Sequence, residues 1–249
     1  MIVPSLPGFG FSDRPAEKGM TVFRMADLFY QLLRNRLGYE RFAVRGSDIG
    51  AGVGKELARS YPEAVIGLHL SGSNPYIYQL PGDLSEAEAR FAEDAQTFMQ
   101  QEGAYALLQS TKPQTPAVGL NDSPAGLAAW IVEKFRRWSD CGGEVESRFT
   151  KEELLTNLTL YWATETIHSS MRVYYESAHG WSPNAGRRVE VPTGMAMLPK
   201  DIAVAPREWE AREYNLTHYT VLPRGGHFAE WEEPERLAED IRSFFRTFR

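Results

Sequence analysis

The chemistry in this 249-residue sequence starts at Gly46-Ser47-Asp48-Ile49-Gly50, a G-x-nucleophile-x-G spacing with Asp in the central place. Such spacing suits a sharp strand-to-helix turn that thrusts its central residue outward, with small residues two before and two after, where strand and helix pass close together. A carboxylate presented there is already ionised and can bond to carbon as an ester, whereas a serine must first lose its proton to a base. By itself the pattern also fits an ordinary turn, because Gly and Asp are common turn formers. Of the five histidines, His227 alone follows a glycine-shaped loop, Pro223-Arg224-Gly225-Gly226. That loop could present an imidazole at the carboxyl end of a parallel sheet, where ligands of such sheets bind, although a plain surface loop would read the same way. Asp201 could orient the imidazole or could be an ordinary carboxylate at a helix N-terminus. His69 lies inside an apolar stretch and reads as a hydrogen-bonded structural histidine, while His168, His179 and His218 have no such loop. The glycines of Gly50-Ala51-Gly52-Val53-Gly54-Lys55 lack the third spacing of G-x-G-x-x-G, and Lys55 precedes Glu56, which excludes dinucleotide and P-loop sites.

The elements that must hold these groups follow from periodicity. Apolar residues at helical spacing over 21–37, with Thr21 as N-cap and Gly38 as stop, predict a helix packed on a core. Strands are expected at 42–44 and 65–70 around a helix at 53–60, a strand–helix–strand unit whose default is a right-handed parallel crossover. From Asn74-Pro75 to Gly186 helices and turns replace strands: a capping box at Ser85-Glu86-Ala87-Glu88, then helices at 124–138 and 151–177. Strands return at 190–197 and 219–222, and Pro234 opens a last helix with Leu237, Ala238, Ile241, Phe244 and Phe245 on one face. The class is therefore α/β, with a core formed by 1–75 and 187–249 and an inserted helical cap at 76–186.

Composition narrows the functions open to such a chain. Hydrophobic residues at 43% and charged residues at 24% belong to an ordinary globular protein, and 27 Lys+Arg against 33 Asp+Glu give no basic field for a nucleic acid. Cys141 is the one cysteine, so neither a disulfide framework nor a thiolate metal site is expected, and a reducing, cytoplasmic setting is the simplest reading. No apolar run reaches membrane-span length, and the start lacks the pattern of a signal peptide, so no membrane segment is expected.

Asp48, Asp201 and His227 come in the chain order nucleophile, acid, base, the order used on α/β-hydrolase sheets. With them the sequence resembles the α/β-hydrolase fold epoxide hydrolases, most closely the microsomal-type branch. The likeness rests on Pro7-Gly8-Phe9-Gly10-Phe11-Ser12, the Gly46–Gly50 turn, Thr111-Lys112-Pro113, Asn121-Asp122-Ser123-Pro124-Ala125-Gly126-Leu127-Ala128-Ala129, Tyr161-Trp162, Val191-Pro192-Thr193-Gly194 and Gly225-Gly226-His227-Phe228. It implies that Asp48 is the nucleophile of a covalent alkyl-ester intermediate, Asp201 its relay acid, His227 the water-activating base, and Tyr105 and Tyr174 the cap tyrosines that grip the epoxide oxygen. It further implies a small lipophilic epoxide and water as substrates, a vicinal diol as product, a role in detoxification or aromatic hydrocarbon catabolism, and no metal or organic cofactor. The oligomeric state stays open, a homo-oligomer included. Ile49 departs from the family's aromatic at that place, but its backbone N–H still serves as an oxyanion donor. The missing indole there counts against halide hydrolysis. The larger departure is upstream of Pro4, where the family has strands and a His-Gly-x-Pro loop that supplies a second oxyanion donor. A sheet truncated on that side, with 42–44 as an edge strand and slowed ester hydrolysis, is the expectation; the alternative is a catalytically inactive remnant or binding protein. Phe91, Phe98, Trp130, Phe135, Trp138, Trp162 and Trp181 are candidates for an apolar lining.

Overall fold

Local signals set the first elements of the computed structural model, which describes residues 1–77 and 79–248. The Thr21 hydroxyl accepts the Arg24 N–H at 3.2 Å and opens α1 (Val22–Gln31), whose Met25 and Ala26 are buried. The helix then loosens over Leu32–Arg36 into a π turn, with Leu37 N–H bonded to the Leu32 carbonyl, and stops at Gly38 at φ 73°. Next come β1 (Phe42–Ser47), α2 (Asp48–Ser60) and β2 (Val65–Ser71), and β1 pairs parallel with β2 as expected. Helix α2 begins at Asp48, five residues earlier than periodicity indicates, because glycines are poor helix formers and mask the start. One of them has a packing reason: a Cβ on Gly54 would lie 3.0 Å from Leu68 Cδ1 and 3.2 Å from Val44 Cγ1, so helix and sheet approach closely there.

Among the described residues the block between β2 and the next strand holds six α-helices and one 3-10 turn, Val145–Ser147. Helix α3 (Glu86–Glu102) carries the Ser85–Glu88 capping box, α4 (Ala104–Thr111) and α5 (Gln114–Asp122) are short, and α6 (Pro124–Trp138) has Pro at its first turn. The single helix expected at 151–177 is two, α7 (Lys151–Thr164) and α8 (Ile167–His179), broken at Glu165 at φ 52°. A left-handed residue costs on the order of 1–2 kcal/mol, which tertiary contacts offset. Ser169 at the start of α8 donates to the Gly8 carbonyl at 2.6 Å, docking the helix on the Pro7–Gly10 loop.

The chain returns to the sheet as β3 (Val189–Met197), α9 (Arg207–Glu213), β4 (Tyr214–Val221), α10 (Ala229–Glu232) and α11 (Pro234–Arg246). The strands described lie in the order β1-β2-β3-β4, every pair parallel. Strand β4 starts at Tyr214, five residues before the apolar stretch read from the sequence, because Asn215 and Thr217 dilute its apolar pattern. One sheet face packs Leu68, Leu70, Met195 and Met197 against Met25, Val53 and Leu57 of α1 and α2. The other receives Phe244 of α11, which a Cβ on Gly194 would approach to 2.8 Å. His69 is fully buried and structural as expected: its Nε2 lies 2.9 Å from Asp240 Oδ2, and the other Asp240 oxygen lies 2.8 Å from His218 Nε2. Among the described residues no helix is long and apolar enough to cross a membrane.

Candidate active site

The turn from β1 into α2 holds Asp48 at φ 47°, a left-handed conformation for a residue with a side chain. Strain of this kind persists where surrounding structure enforces it, and here it aims the carboxylate off the end of the sheet. A Cβ on Gly46 would sit 2.3 Å from the Gly50 carbonyl oxygen, so position 46 admits only glycine. A Cβ on Gly50 would meet nothing within 4 Å, which corrects the sequence expectation that both flanking glycines are sterically required. Gly46→Ala is therefore expected to destabilise the fold by about 3 kcal/mol or more, whereas Gly50→Ala, inside a helix, gains up to about 1 kcal/mol. Thermal melts of the two variants check this, and equal melting temperatures would refute the steric account.

The two loops that carry Asp201 and His227 meet over this turn. His227 Nε2 lies 3.0 Å from Asp48 Oδ2, and its Nδ1 lies 2.8 Å from Asp201 Oδ1. The three residues read from the sequence are thus in one hydrogen-bonded line, and Ile49 N–H donates to Asp48 Oδ1 at 2.5 Å. Sequence reasoning missed the groups that hold them. Gly72, at φ 75° after β2, leaves the space Asp201 fills, since a Cβ there would lie 2.6 Å from Asp201 Oδ2. Glu232 accepts the backbone N–H groups of Gly226 and Phe228 at 3.0 and 3.1 Å, and His227 N–H reaches the Trp138 carbonyl at 2.8 Å. The imidazole loop is therefore clamped on both sides of the histidine, from α10 and from the end of α6. Glu232 lies five residues after His227, a proximity that marks it only once the helix is known to turn back.

Charge follows from this geometry. Burial works against a protonated imidazole at His227, but hydrogen bonds and charge from Asp201 and Asp48 outweigh it and raise the group to about 10. Burial likewise pushes the Asp48 carboxyl up, and the His227 hydrogen bond and charge, with Ile49 N–H, bring it below the ordinary range. The proton on His227 is thus favoured by its place between Asp48 and Asp201. Because the folded value of His227 lies above the free value of about 6.5, its contribution to stability is complete below that pH and is lost as pH rises through about 10. In ¹⁵N spectra His227 is expected to remain protonated at pH 8, and Asp48→Ala is expected to bring its titration down; a neutral ring at pH 8 in the unmodified chain would contradict the assignment.

Tyr105 stands on α4 and Tyr174 on α8, their ring centroids 5.9 Å apart and edge to face. Burial first, then neighbouring tyrosines and the Asp48 charge, raise both phenols above the ordinary range, so both keep their protons. Both border a cavity of about 510 Å³ together with Asp48 and His227. Tyr161 borders it too and is raised by burial and by Asp48, a third phenol that its Tyr-Trp context did not single out. Of the expected aromatic lining, Trp130, Phe135 and Trp138 face this cavity. Trp138 also meets the His227 ring edge to face at 5.4 Å. Phe91 instead packs on Trp209, Phe98 lies buried beside Trp138, and Trp162 and Trp181 are exposed. Those positions share helical spacing with core residues, which sequence cannot separate from pocket residues.

A parallel sheet with a sharp strand-to-helix turn and an Asp–His–Asp hydrogen-bonded line at its carboxyl end defines the class. The sequence model of the alpha/beta hydrolase fold matches residues 1–234, and the chain belongs to that family. Within it the chain is similar to epoxide hydrolases, as the sequence motifs implied. It is 39% identical over 270 residues to epoxide hydrolase 1 of Sus scrofa, an alignment covering 98% of this chain and 59% of that protein. The crystal structure of juvenile hormone epoxide hydrolase from the silkworm Bombyx mori superposes with a TM-score of 0.81 at 35% identity, covering 98% of this chain and 59% of that one. The structure of Aspergillus niger epoxide hydrolase gives 0.84 at 31% identity, covering 99% and 63%. The chain spans less than two thirds of the length of these relatives.

Proposed function

We propose that the chain hydrolyses an epoxide to a vicinal diol through an alkyl ester on Asp48. The observation that carries this reading is an ionised carboxylate on a strained turn, 3.0 Å from an imidazolium and bordering the same cavity as two protonated phenols. Residues 76–186 act as the cap that brings the phenols, and 1–75 with 187–249 as the core that brings the triad.

The protons balance without a cofactor. A carboxylate oxygen of Asp48 attacks an epoxide carbon, the C–O bond breaks, and Tyr105 or Tyr174 gives its proton to the departing oxygen. The tyrosinate recovers a proton from the imidazolium, directly or through water. Asp48 is now a neutral ester, so His227 has lost one of the two carboxylates that raised it and becomes a base. It takes a proton from water as the water oxygen attacks the ester carbonyl, with Asp201 holding the ring and Ile49 N–H facing the oxyanion. Collapse releases the diol and restores the starting charges. A single turnover in oxygen-18 water tests this: the label is expected in the Asp48 side chain, and its absence there rules out the ester.

Two further outcomes follow. Loss of one phenol in Tyr105→Phe or Tyr174→Phe should lower kcat/KM by about 10²-fold, with the double variant near 10⁴-fold, since each donor acts as a positioned acid. Diol assays across the three variants decide it, and a double variant as active as either single one would break the assignment. In addition, Ile49 N–H is the one backbone donor that meets the Asp48 carboxylate among the described residues. Ester hydrolysis, the step that needs oxyanion stabilisation, is the step expected to limit turnover. Rapid mixing should give a fast first turnover followed by slower steady release of diol.

A further inference from the structure

Asp48, Ile49, Tyr105, Tyr174 and His227 border two cavities at once, the aromatic one described above and a second of about 550 Å³. The reacting groups are therefore a neck between chambers. The second chamber differs in chemistry: it is walled by Lys55 and Glu56 of α2, Glu210 and Glu213 of α9, and the hydroxyls of Ser73 and Ser177. Most of that charge is already matched. Glu213 meets Lys55 at 3.2 Å and Arg59 at 2.5 Å, and Glu56 pairs with Arg59 and accepts from Ser182 and Asn184, each at 3.0 Å.

Glu210 is the exception. It is 6% exposed, borders the chamber and forms no ion pair with a cation among the described residues. Burial, with the Glu213 charge, pushes its carboxyl up to about 7, countered by the Ser73 hydroxyl and by the charge of Lys55. A buried carboxyl with spare acceptor capacity is a costly group in an apolar site, and it gains most from a ligand that brings an O–H or N–H donor.

Resting on the epoxide-hydrolase reading, we propose that the chain acts on epoxides substituted on both carbons, with an apolar or aryl arm in the aromatic chamber and a short arm ending in a hydrogen-bond donor, such as a hydroxyl, on Glu210. An epoxide lying at the neck has one substituent on each side, so the two chambers read the two carbons separately. Glu210 is then a specificity residue for the second arm, remote from bond making.

Binding of unreactive product-type ligands tests the chamber apart from turnover. By calorimetry, 1-phenylpropane-1,2,3-triol should bind about tenfold tighter than 1-phenylpropane-1,2-diol, the difference expected of one additional hydrogen bond. That ratio should fall to about one in Glu210→Met and stay above it in Glu210→Gln, which keeps an acceptor oxygen. Should the methionine variant not fold, Ser177→Phe, at an exposed position of the chamber wall, narrows the same space. It should weaken the triol relative to 1-phenylethane-1,2-diol, which has no second arm. Equal binding of triol and diol to the unmodified chain, or a preference that survives Glu210→Met, overturns the inference. Preferential binding of the triol by a chain that opens neither 3-phenylglycidol nor 1-phenylpropylene oxide, the epoxides that correspond to the triol and the diol, supports the chamber and refutes the proposed reaction.

Discussion

Asp48→Ala is expected to remove diol formation almost entirely, lowering kcat/KM by about 10⁴-fold or more, the scale on which covalent nucleophiles are lost. No other carboxylate takes its place: Asp201 bonds the far side of the imidazole through Oδ1, and its other oxygen fills the space left by Gly72. Water could still be activated by His227, but without the neighbouring carboxylate the ring has no ester to attack. The substitution leaves the backbone strain in place, because Ala at φ 47° is no easier than Asp, so the fold should survive, as circular dichroism can verify. The experiment separates an enzyme from a binding protein that retains the same residues by descent. Residual activity within tenfold of the unmodified chain would mean that Asp48 forms no bond to substrate.

Much of this arrangement was legible because the sequence signals were local. Thr21, Ser85 and Pro234 each mark a helix start through a cap or a missing N–H, and the structure puts helices there. Asp48, Asp201 and His227 were found by their loops and their chain order, and the structure brings all three within hydrogen-bond reach. What could not be read depends on contacts between segments far apart. The break at Glu165 needs the docking of Ser169 on Gly8, more than 150 positions away. The clamp from Glu232 and the Trp138 carbonyl needs α10 and the end of α6 to meet at the imidazole loop. Tyr105 and Tyr174 were reached only through resemblance, since a tyrosine on an amphipathic helix carries no mark of which cavity it faces. The same limit explains Trp162 and Trp181, which share the composition of the lining but stand in solvent.

The partition of work between Asp48 and His227 leads to a second large effect, in which one step survives and the other stops. In His227→Gln the carboxylate at position 48 loses the imidazolium that offsets its burial, so its pKa rises; the Ile49 N–H at 2.5 Å still favours the ionised form, and the reaction is run at pH 8 to keep it so. Ring opening needs that carboxylate and a phenol proton, and both remain. Ester hydrolysis needs a base beside the carbonyl, and none of the neighbouring groups supplies one: Asp201 faced the imidazole, and the tyrosinate left by ring opening, raised by burial, recovers its proton from solvent. The expected result is consumption of one equivalent of epoxide per chain, then arrest, with steady turnover reduced by about 10⁴-fold or more. Intact-mass spectrometry should show the protein heavier by the whole mass of the epoxide, because addition expels no leaving group. Peptide mapping should place that mass at 48. A variant that accumulates no adduct and also makes no diol would show that the imidazolium is needed for ring opening itself, as the proton source that resets the tyrosinate. In that case the two-step division would have to be redrawn, with His227 acting before the ester as well as after it.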